Sequence, residues 1–256
     1  MIEFIGSTGA GKTRLIADVR RRLAEIANVT TTFKLVAAPL GIPNVNNPTA
    51  RHLIQELVGF PLFVRSLYRH KTFLIFALRM LARQANFSVF TLNNLRSLVR
   101  KISVYEMSRR RQQDRFVLVD EGTVLLAHNI FVYSDAVYTS EEIARFARLV
   151  PLPDLLVYVK APIETLIQRS LLRVDPPREL KSRDRELITK QVNRAVKMFD
   201  QLVQAENIQS RLLVVQNPGT NEGQYNLAVD DLVDFIMTFK PAAQSHQDTK
   251  LSNANT

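Results

Sequence analysis

Gly6-Ser7-Thr8-Gly9-Ala10-Gly11-Lys12-Thr13 follows the pattern G-x-x-x-x-G-K-T near the start of the chain. Glycines at these places let the backbone turn so that successive N–H groups converge on phosphate oxygens. Lysine in the seventh place reaches β- and γ-phosphates, and the threonine hydroxyl after it ligates Mg²⁺. The chemistry implied is binding of a nucleoside triphosphate. A second stretch, Phe116-Val117-Leu118-Val119-Asp120-Glu121-Gly122, ends an apolar run in two carboxylates. That pattern delivers Asp120 beside the loop, where it can hold Mg²⁺ through water. The bland alternatives are a chance Gly-rich turn and a solvated acidic turn.

The loop needs a strand before it and a helix after it. Ile2-Glu3-Phe4-Ile5 is short and apolar enough for a buried parallel strand, and Thr13–Val19 has apolar residues at helical spacing. A helix starting near Lys12 adds its positive dipole end to the phosphate site. Arg14, in its first turn, joins Gly6, Ser7, Thr8, Gly9, Ala10, Gly11, Lys12 and Thr13 in the nucleotide-contacting set.

Composition bounds the rest. The chain has 256 residues, 46% of them hydrophobic, and no cysteine, so disulfides and thiolate metal sites are excluded. The four histidines form no ligand-spaced pair. Net charge is 34 − 24 = +10, which fits an anionic partner or a solvated basic surface. With the motif starting at residue 6, no signal peptide is expected ahead of it, and a cytoplasmic location is the default.

Taken in order, helix 1 is expected to about Asn28, strand 2 over Thr30–Val36 by its β-branched residues, and a loop over 39–48 leaving the carboxyl end of that strand. Residues 49–113 read as three helices. Asn47 caps the first with Pro48 in its first turn, Pro61 opens the second, and the third runs from near Thr91 to Arg111. The apolar run Thr72–Leu78 is too short to span a bilayer. A core-packing helix is the first reading of it and a membrane-surface helix the second. Thr139–Glu142 carries a capping box for a helix to about Val150. Asp154–Val159 is strand 4, and Pro162 opens a helix bearing Arg169 and Arg173, one turn apart. Residues 174–184, polar and Pro-broken, have the character of a flap. A helix over about 185–206, strand 5 over 211–215, a loop at 217–221 and a helix over 222–239 follow. The tail, 241–256, has no apolar pattern and is expected to be disordered.

Strands alternating with helices predict an α/β chain with a parallel sheet covered on both faces. The absence of an N-K-x-D or T-K-x-D triplet argues against a GTPase, and the absence of an L-S-G-G-Q-like run against a transporter ATPase. What remains resembles the P-loop kinases of small molecules, closest to the thymidylate kinase-like and deoxynucleoside kinase-like group. The resemblance covers about residues 1–240. It rests on the loop Gly6–Thr13, the strand ending Val119-Asp120-Glu121, the strand 153–159, the helix with Arg169 and the nearby Arg173, and the closing strand Leu212–Val215.

The resemblance implies a three-layer P-loop fold with a five-stranded parallel sheet, in one kinase domain, 1–240. A helical acceptor-side insert, 44–113, follows strand 2, and a lid, 174–184, follows strand 4. It implies ATP and Mg²⁺ as cofactors, with Thr13 and Asp120 on the metal. It implies that Lys12, Arg169 and Arg173, with Arg178 or Arg183 in the lid, neutralise the transferring phosphoryl group, a role that suits arginine's fixed charge. Pro218, in the loop after strand 5, would border the adenine.

The acceptor half departs from the group. The thymidylate kinase pattern has Asp-Arg and an aromatic at the end of strand 3, where this chain has Asp120-Glu121-Gly122. An acidic-Pro-Gly stretch after strand 2 is replaced by Ala37-Ala38-Pro39-Leu40-Gly41, and the general base that deoxynucleoside kinases keep there is missing too. The acceptor is therefore left as a nucleoside, nucleotide or sugar-like hydroxyl or phosphate. Glu121 is the candidate to accept a proton from it or to hydrogen-bond it. A nucleic-acid-associated P-loop ATPase or polynucleotide kinase is the alternative suggested by the charge, disfavoured because the insert lacks interleaved aromatics. A homodimer is a further candidate arrangement, and no transmembrane segment is expected.

Overall fold

Runs such as Ile2–Ile5, Phe116–Val119 and Leu155–Val159 are apolar at every position but Glu3, so as strands they require cover on both faces. The computed structural model describes residues 1–42, 45, 47–83, 89–111, 115–133, 137–173, 184–218 and 221–239. Among them five parallel strands form one sheet: β1 (Ile2–Ile5), β2 (Val29–Thr31), β3 (Phe116–Val119), β4 (Leu155–Lys160) and β5 (Leu212–Gln216), in the order β2-β3-β1-β4-β5. The register pairs Glu3 with Val119 and Ile5 with Tyr158. The residues following β1 and β3, which begin the Gly-rich loop and the carboxylate pair, therefore leave the same edge of the sheet side by side.

Side chains alternate across a strand, and the two cores follow that alternation. Ile2, Phe4, Leu155, Val157 and Val159 face α1 (Lys12–Ile26), α7 (Ile163–Leu171) and α10 (Glu222–Thr238). Ile5, Leu156 and Tyr158 face the other layer. There stand α3 (Pro48–Ala82), α4 (Val89–Arg111), α5 (Leu126–Phe131), α6 (Ser140–Leu149) and the second half of α8 (Arg185–Leu202). The expected three-layer α/β fold is present, and so is the capping box, with Thr139 and Glu142 each bonded to the other's backbone.

Three expectations of local structure are revised. Strand 2 ends at Thr31, and Thr32–Ala37 is a helix, α2, continued by a 3₁₀ turn at Ala38–Leu40. The Thr31 side chain caps it by accepting from the Lys34 N–H, and Phe33, Leu35 and Val36 turn into the core. Packing thus overrides β-propensity in a short segment, and the loop after 39 does not leave strand 2 directly. The insert holds two described helices, α3 and α4, instead of three, because Pro61 lies inside the 35-residue α3. Proline costs a helix the hydrogen bond to the carbonyl four residues back. Here both Pro61 and Leu57 are exposed, so that carbonyl is on the side of water. The long helix expected over 185–206 ends at Leu202, and a short α9 (Glu206–Gln209) follows. Residues 174–183 of the expected lid, with Arg178 and Arg183, and the tail 241–256 lie outside the described residues, as do 43, 44, 46, 84–88, 112 and 113 of the insert region.

Candidate active site

The loop between β1 and α1 is built on positive-φ glycines. Gly11 (φ 87°) N-caps α1, and a Cβ there would stand 2.3 Å from Asn217 Nδ2. Asn217, buried just after β5, donates to the Ala10 carbonyl at 2.8 Å. The loop is thereby clamped by the far strand of the sheet, with its N–H groups left at the start of α1. Lys12 Nζ lies back across the loop, donating to the carbonyls of Gly6 (2.8 Å) and Ser7 (3.0 Å). Burial lowers its pKa to about 8; Asp120 works against that shift and Arg173 adds to it.

Thr13 Oγ1 donates to Asp120 Oδ2 at 3.2 Å, joining α1 to the end of β3. Burial raises the Asp120 pKa, opposed by Lys12 and assisted by Glu121. Glu121 turns the other way and accepts from Arg100 of α4 at 3.1 Å. Burial would raise its pKa too, but Lys101, Arg100 and His52 outweigh it and hold the carboxyl below its ordinary value. Asp120 and Glu121 follow the last residue of β3, and at the mouth of the sheet their carboxylates take different partners.

A cavity of about 620 Å³ opens over the loop, lined among others by Lys12, Thr13, Arg100, Lys101, Asp120 and Arg169. Arg173 also lines it, and Arg169 Nη1 donates to the Gly9 carbonyl at 3.3 Å. Arg169 is in α7, whereas Arg173 lies beyond its last residue, so the two reach one cavity from a helix and from the segment after it. A second cavity of about 210 Å³ adjoins the first at His52, Arg100, Asp120 and Glu121, and extends to Thr32, Phe33 and Arg51. Six cationic side chains, Lys12, Arg14, Arg100, Lys101, Arg169 and Arg173, line the larger cavity against the carboxylates of Asp120 and Glu121. That balance suits a ligand carrying several negative charges.

Arg14 reaches the cavity rim, but its guanidinium is committed to Glu222, at 2.6 Å, and stacks over Tyr225 at 4.2 Å. Pro218 follows Asn217 and lines neither cavity. Several insert arginines are taken up in pairs. Arg96 bridges to Glu56, Arg83 to Glu142, and Arg69 to the buried Glu106. Burial opposes ionisation of Glu106, yet hydrogen bonds from His70 and Arg69 and their charges outweigh it and hold the carboxyl down at about 2.

His52, Ser97 and His128 escaped sequence reasoning in this role, whereas Arg100 and Lys101 belong to the insert's excess of basic residues. Ser97, Arg100 and Lys101 share one face of α4, and Lys101 is a lysine on an apolar arc beside Leu98 and Ile102. A cation in that setting was the available signal. Lys101 is 2% exposed and its pKa is lowered by burial, with Glu121, Glu3 and Asp120 as the acids around it. His128, on the unforeseen α5, is held neutral by burial, with its pKa lowered to about 3. Glu3 is the third carboxylate near the strand ends. It is fully buried, accepts from the Leu125 N–H at 2.9 Å, and lies where a Cβ on Gly122 would come within 2.3 Å.

The glycine-bearing loop on β1, the hydroxyl–carboxylate pair behind it and the parallel sheet define a P-loop α/β domain. No family model matches the chain, and no curated protein matches it. Among solved structures it is similar to a shikimate kinase from Bacteroides thetaiotaomicron, at 11% identity and a TM-score of 0.42, over 92% of this chain and 97% of that one. It is also similar to a shikimate kinase from Acinetobacter baumannii in complex with shikimate, at 14% identity and a TM-score of 0.42, over 93% and 94%.

Proposed function

We propose that the protein is a phosphotransferase, moving a phosphoryl group from ATP to a small-molecule hydroxyl or phosphate, with a donor side of the thymidylate kinase-like and deoxynucleoside kinase-like kind. The observation that carries this reading is the split of the Asp120-Glu121 pair, one carboxylate on Thr13 and the other on Arg100 at the junction of two cavities. A site that only bound nucleotide would need the first half alone, whereas the second carboxylate is placed to orient an attacking group. The pairing of Thr13 with Asp120 suits Mg²⁺, which would supply charge neutralisation on the phosphate oxygens. Among the described residues no group of three or more His, Asp or Glu could hold a metal. The hydroxyl and single carboxylate fit an ion completed by phosphate oxygens and water.

The chain's own residues then divide the work. The loop N–H groups and Lys12 hold the phosphates of the donor. Lys12 must leave the Gly6 and Ser7 carbonyls to do so, and bound phosphate replaces them as its partner. Arg169, bonded to the Gly9 carbonyl, and Arg173 line the cavity over the loop and stabilise charge as it shifts toward the transferring group. Glu121, ionised and steadied by Arg100, orients the acceptor in the smaller cavity together with His52 and Arg51. Its lowered pKa suits hydrogen bonding to an acceptor hydroxyl better than carrying off its proton, since a general base works best with a pKa near the ambient pH.

The test is transfer of labelled phosphate from Mg²⁺-ATP to nucleosides, nucleotides and sugars in parallel, with Lys12→Ala as the control. Transfer to at least one acceptor, lost in Lys12→Ala with the fold intact, is expected. ATP turnover without transfer to any acceptor, or turnover unchanged in Lys12→Ala, would sink the reading.

A further inference from the structure

We propose that the outer face of α3 docks the protein on an anionic lipid surface. Leu53, Leu57, Phe60, Val64, Ile75 and Leu78 are all exposed along this helix. Their spacing alternates mainly between three and four residues, which keeps them within an arc of roughly 100°. Leu67 and Tyr68 fill the same arc, Tyr68 being 79% exposed. From Leu53 to Leu78 the stripe is about 38 Å long at the helical rise. An apolar stripe of that length, interrupted within its arc by Lys71 alone, on a helix already packed on its other side marks a docking face.

The charges beside the stripe select the occupant. Arg65 and Arg79 are exposed along one border, and Lys71 stands within the stripe with Nζ 4.6 Å over the Tyr68 ring. Arg69, bonded to Glu106, still has a side chain 45% exposed. Glu56 is the sole acid of α3, and Arg96 and Arg100 already hold it. The face is thus apolar and cationic with no free acid. Leucine and aromatic side chains with Lys and Arg beside them suit the headgroup boundary of an anionic membrane. Each such cation near the surface strengthens binding by about fivefold.

Other occupants fit less well. A second copy would set Arg65, Lys71 and Arg79 against themselves with no carboxylate to answer them. The chain's own segment 240–256 offers one leucine, Leu251, and no aromatic to cover a stripe this long. Among the described residues no helix is long and apolar enough to cross a membrane, so the mode is a helix lying in the interface.

The experiment is sedimentation of the full chain with vesicles of phosphatidylcholine alone, or with about one part in three phosphatidylglycerol. Binding to the anionic vesicles should be about tenfold or more tighter, and weaker in about 1 M salt. Leu57→Asp with Val64→Asp, both exposed and outside either cavity, should lower that binding about tenfold or more with helical content unchanged. Arg65→Ser with Arg79→Ser should reduce the preference for anionic vesicles while retaining the residual neutral binding. Absence of vesicle binding, or equal binding by the aspartate variant, overturns the proposal. A monomer–dimer equilibrium abolished by the same aspartates, without vesicle binding, would give the face to a second copy.

Discussion

At the scale of single residues the informative contrast is between Asp120 and Glu121. One carboxylate is tied to Thr13 and the other to Arg100, so their loss should give two different defects. Asp120→Asn should weaken the Mg²⁺ dependence of turnover with every acceptor, water included. Glu121→Gln should keep Mg²⁺-ATP affinity and lose transfer, toward the lower end of about 10²–10⁴-fold, because its lowered pKa makes it a holder of the acceptor more than a base. Nucleotide affinity and acceptor turnover measured on both variants decide this; Mg²⁺-ATP binding lost only in Glu121→Gln would reverse the two roles.

Glu3 makes a second residue-scale prediction, and its sign is set by protonation. Burial lifts its pKa in the folded chain to about 7, above its ordinary 4.5. The folded state therefore holds a proton that the unfolded state releases between those values. Its contribution to stability is full below about 4.5 and is lost as pH rises through 7. The amount at stake is on the order of 3 kcal/mol, from a shift of about two and a half pKa units. Glu3→Gln keeps an acceptor for the Leu125 N–H and removes the charge. The variant should gain stability relative to the parent at pH 8 compared with pH 5, as read by urea unfolding at both. An equal difference at the two pH values would refute the assignment.

At the scale of elements, the Gly-rich loop is held from behind by β5 through Asn217 and faced by α7 through Arg169. Asn217→Ala should remove the donor to Ala10, loosen the loop and raise the KM for ATP. A net hydrogen bond of about 1 kcal/mol corresponds to roughly fivefold. Arg169→Ala and Arg173→Ala should instead lower kcat with less effect on KM, because both line the cavity where charge on the transferring group develops. Initial-rate kinetics on the three variants tests the split; a KM effect alone in the arginine variants would make them binding residues.

Elements were legible in the sequence where local chemistry and packing agreed. The loop, the strand leading into Asp120, the Thr139 capping box and strands 4 and 5 are written in motifs or in unbroken apolar runs. Two errors share another cause. Thr32–Val36 has strand-like residues, but Thr31 caps a helix whose apolar face meets the core, and neighbour contacts decided the matter. Pro61 signals a helix start in isolation, yet on the exposed side of a long packed helix its missing hydrogen bond is tolerated. The acceptor side was least legible. Lys101, His52 and His128 come from three helices, and only the fold brings them to one cavity. Asn217 carries no motif at all.

At the scale of the whole molecule, the net charge of +10 is unevenly used. Part of it lines the cavity, part is spent in pairs such as Arg96–Glu56 and Arg14–Glu222, and part borders the outer face of α3. The concentration of cations in the cavity predicts strong stabilisation by its ligand. At about one hundred times its Kd, Mg²⁺-ATP should add about 2.7 kcal/mol to folding stability. For a domain of this size that raises Tm by roughly 5–10 °C. Thermal unfolding with and without Mg²⁺-ATP measures it, and an unchanged Tm at saturating nucleotide would mean that the cavity does not take this ligand.

The closeness of Glu3 to Gly122 has an outcome for how such a chain could change its substrate. β1 ends in the Gly-rich loop, and its Glu3 carboxyl fastens the turn that follows Asp120 and Glu121. A side chain introduced at Gly122, or a new one in place of Glu3, would disturb the metal side and the acceptor side at once. Diversification is therefore channelled away from the strand ends and into α2, α3 and α4, whose residues reach the smaller cavity without touching the loop. Libraries built at Phe33, Arg51 and Gln55 should yield altered acceptor preference with ATP handling intact, whereas libraries at Glu3 and Gly122 should yield mostly inactive chains.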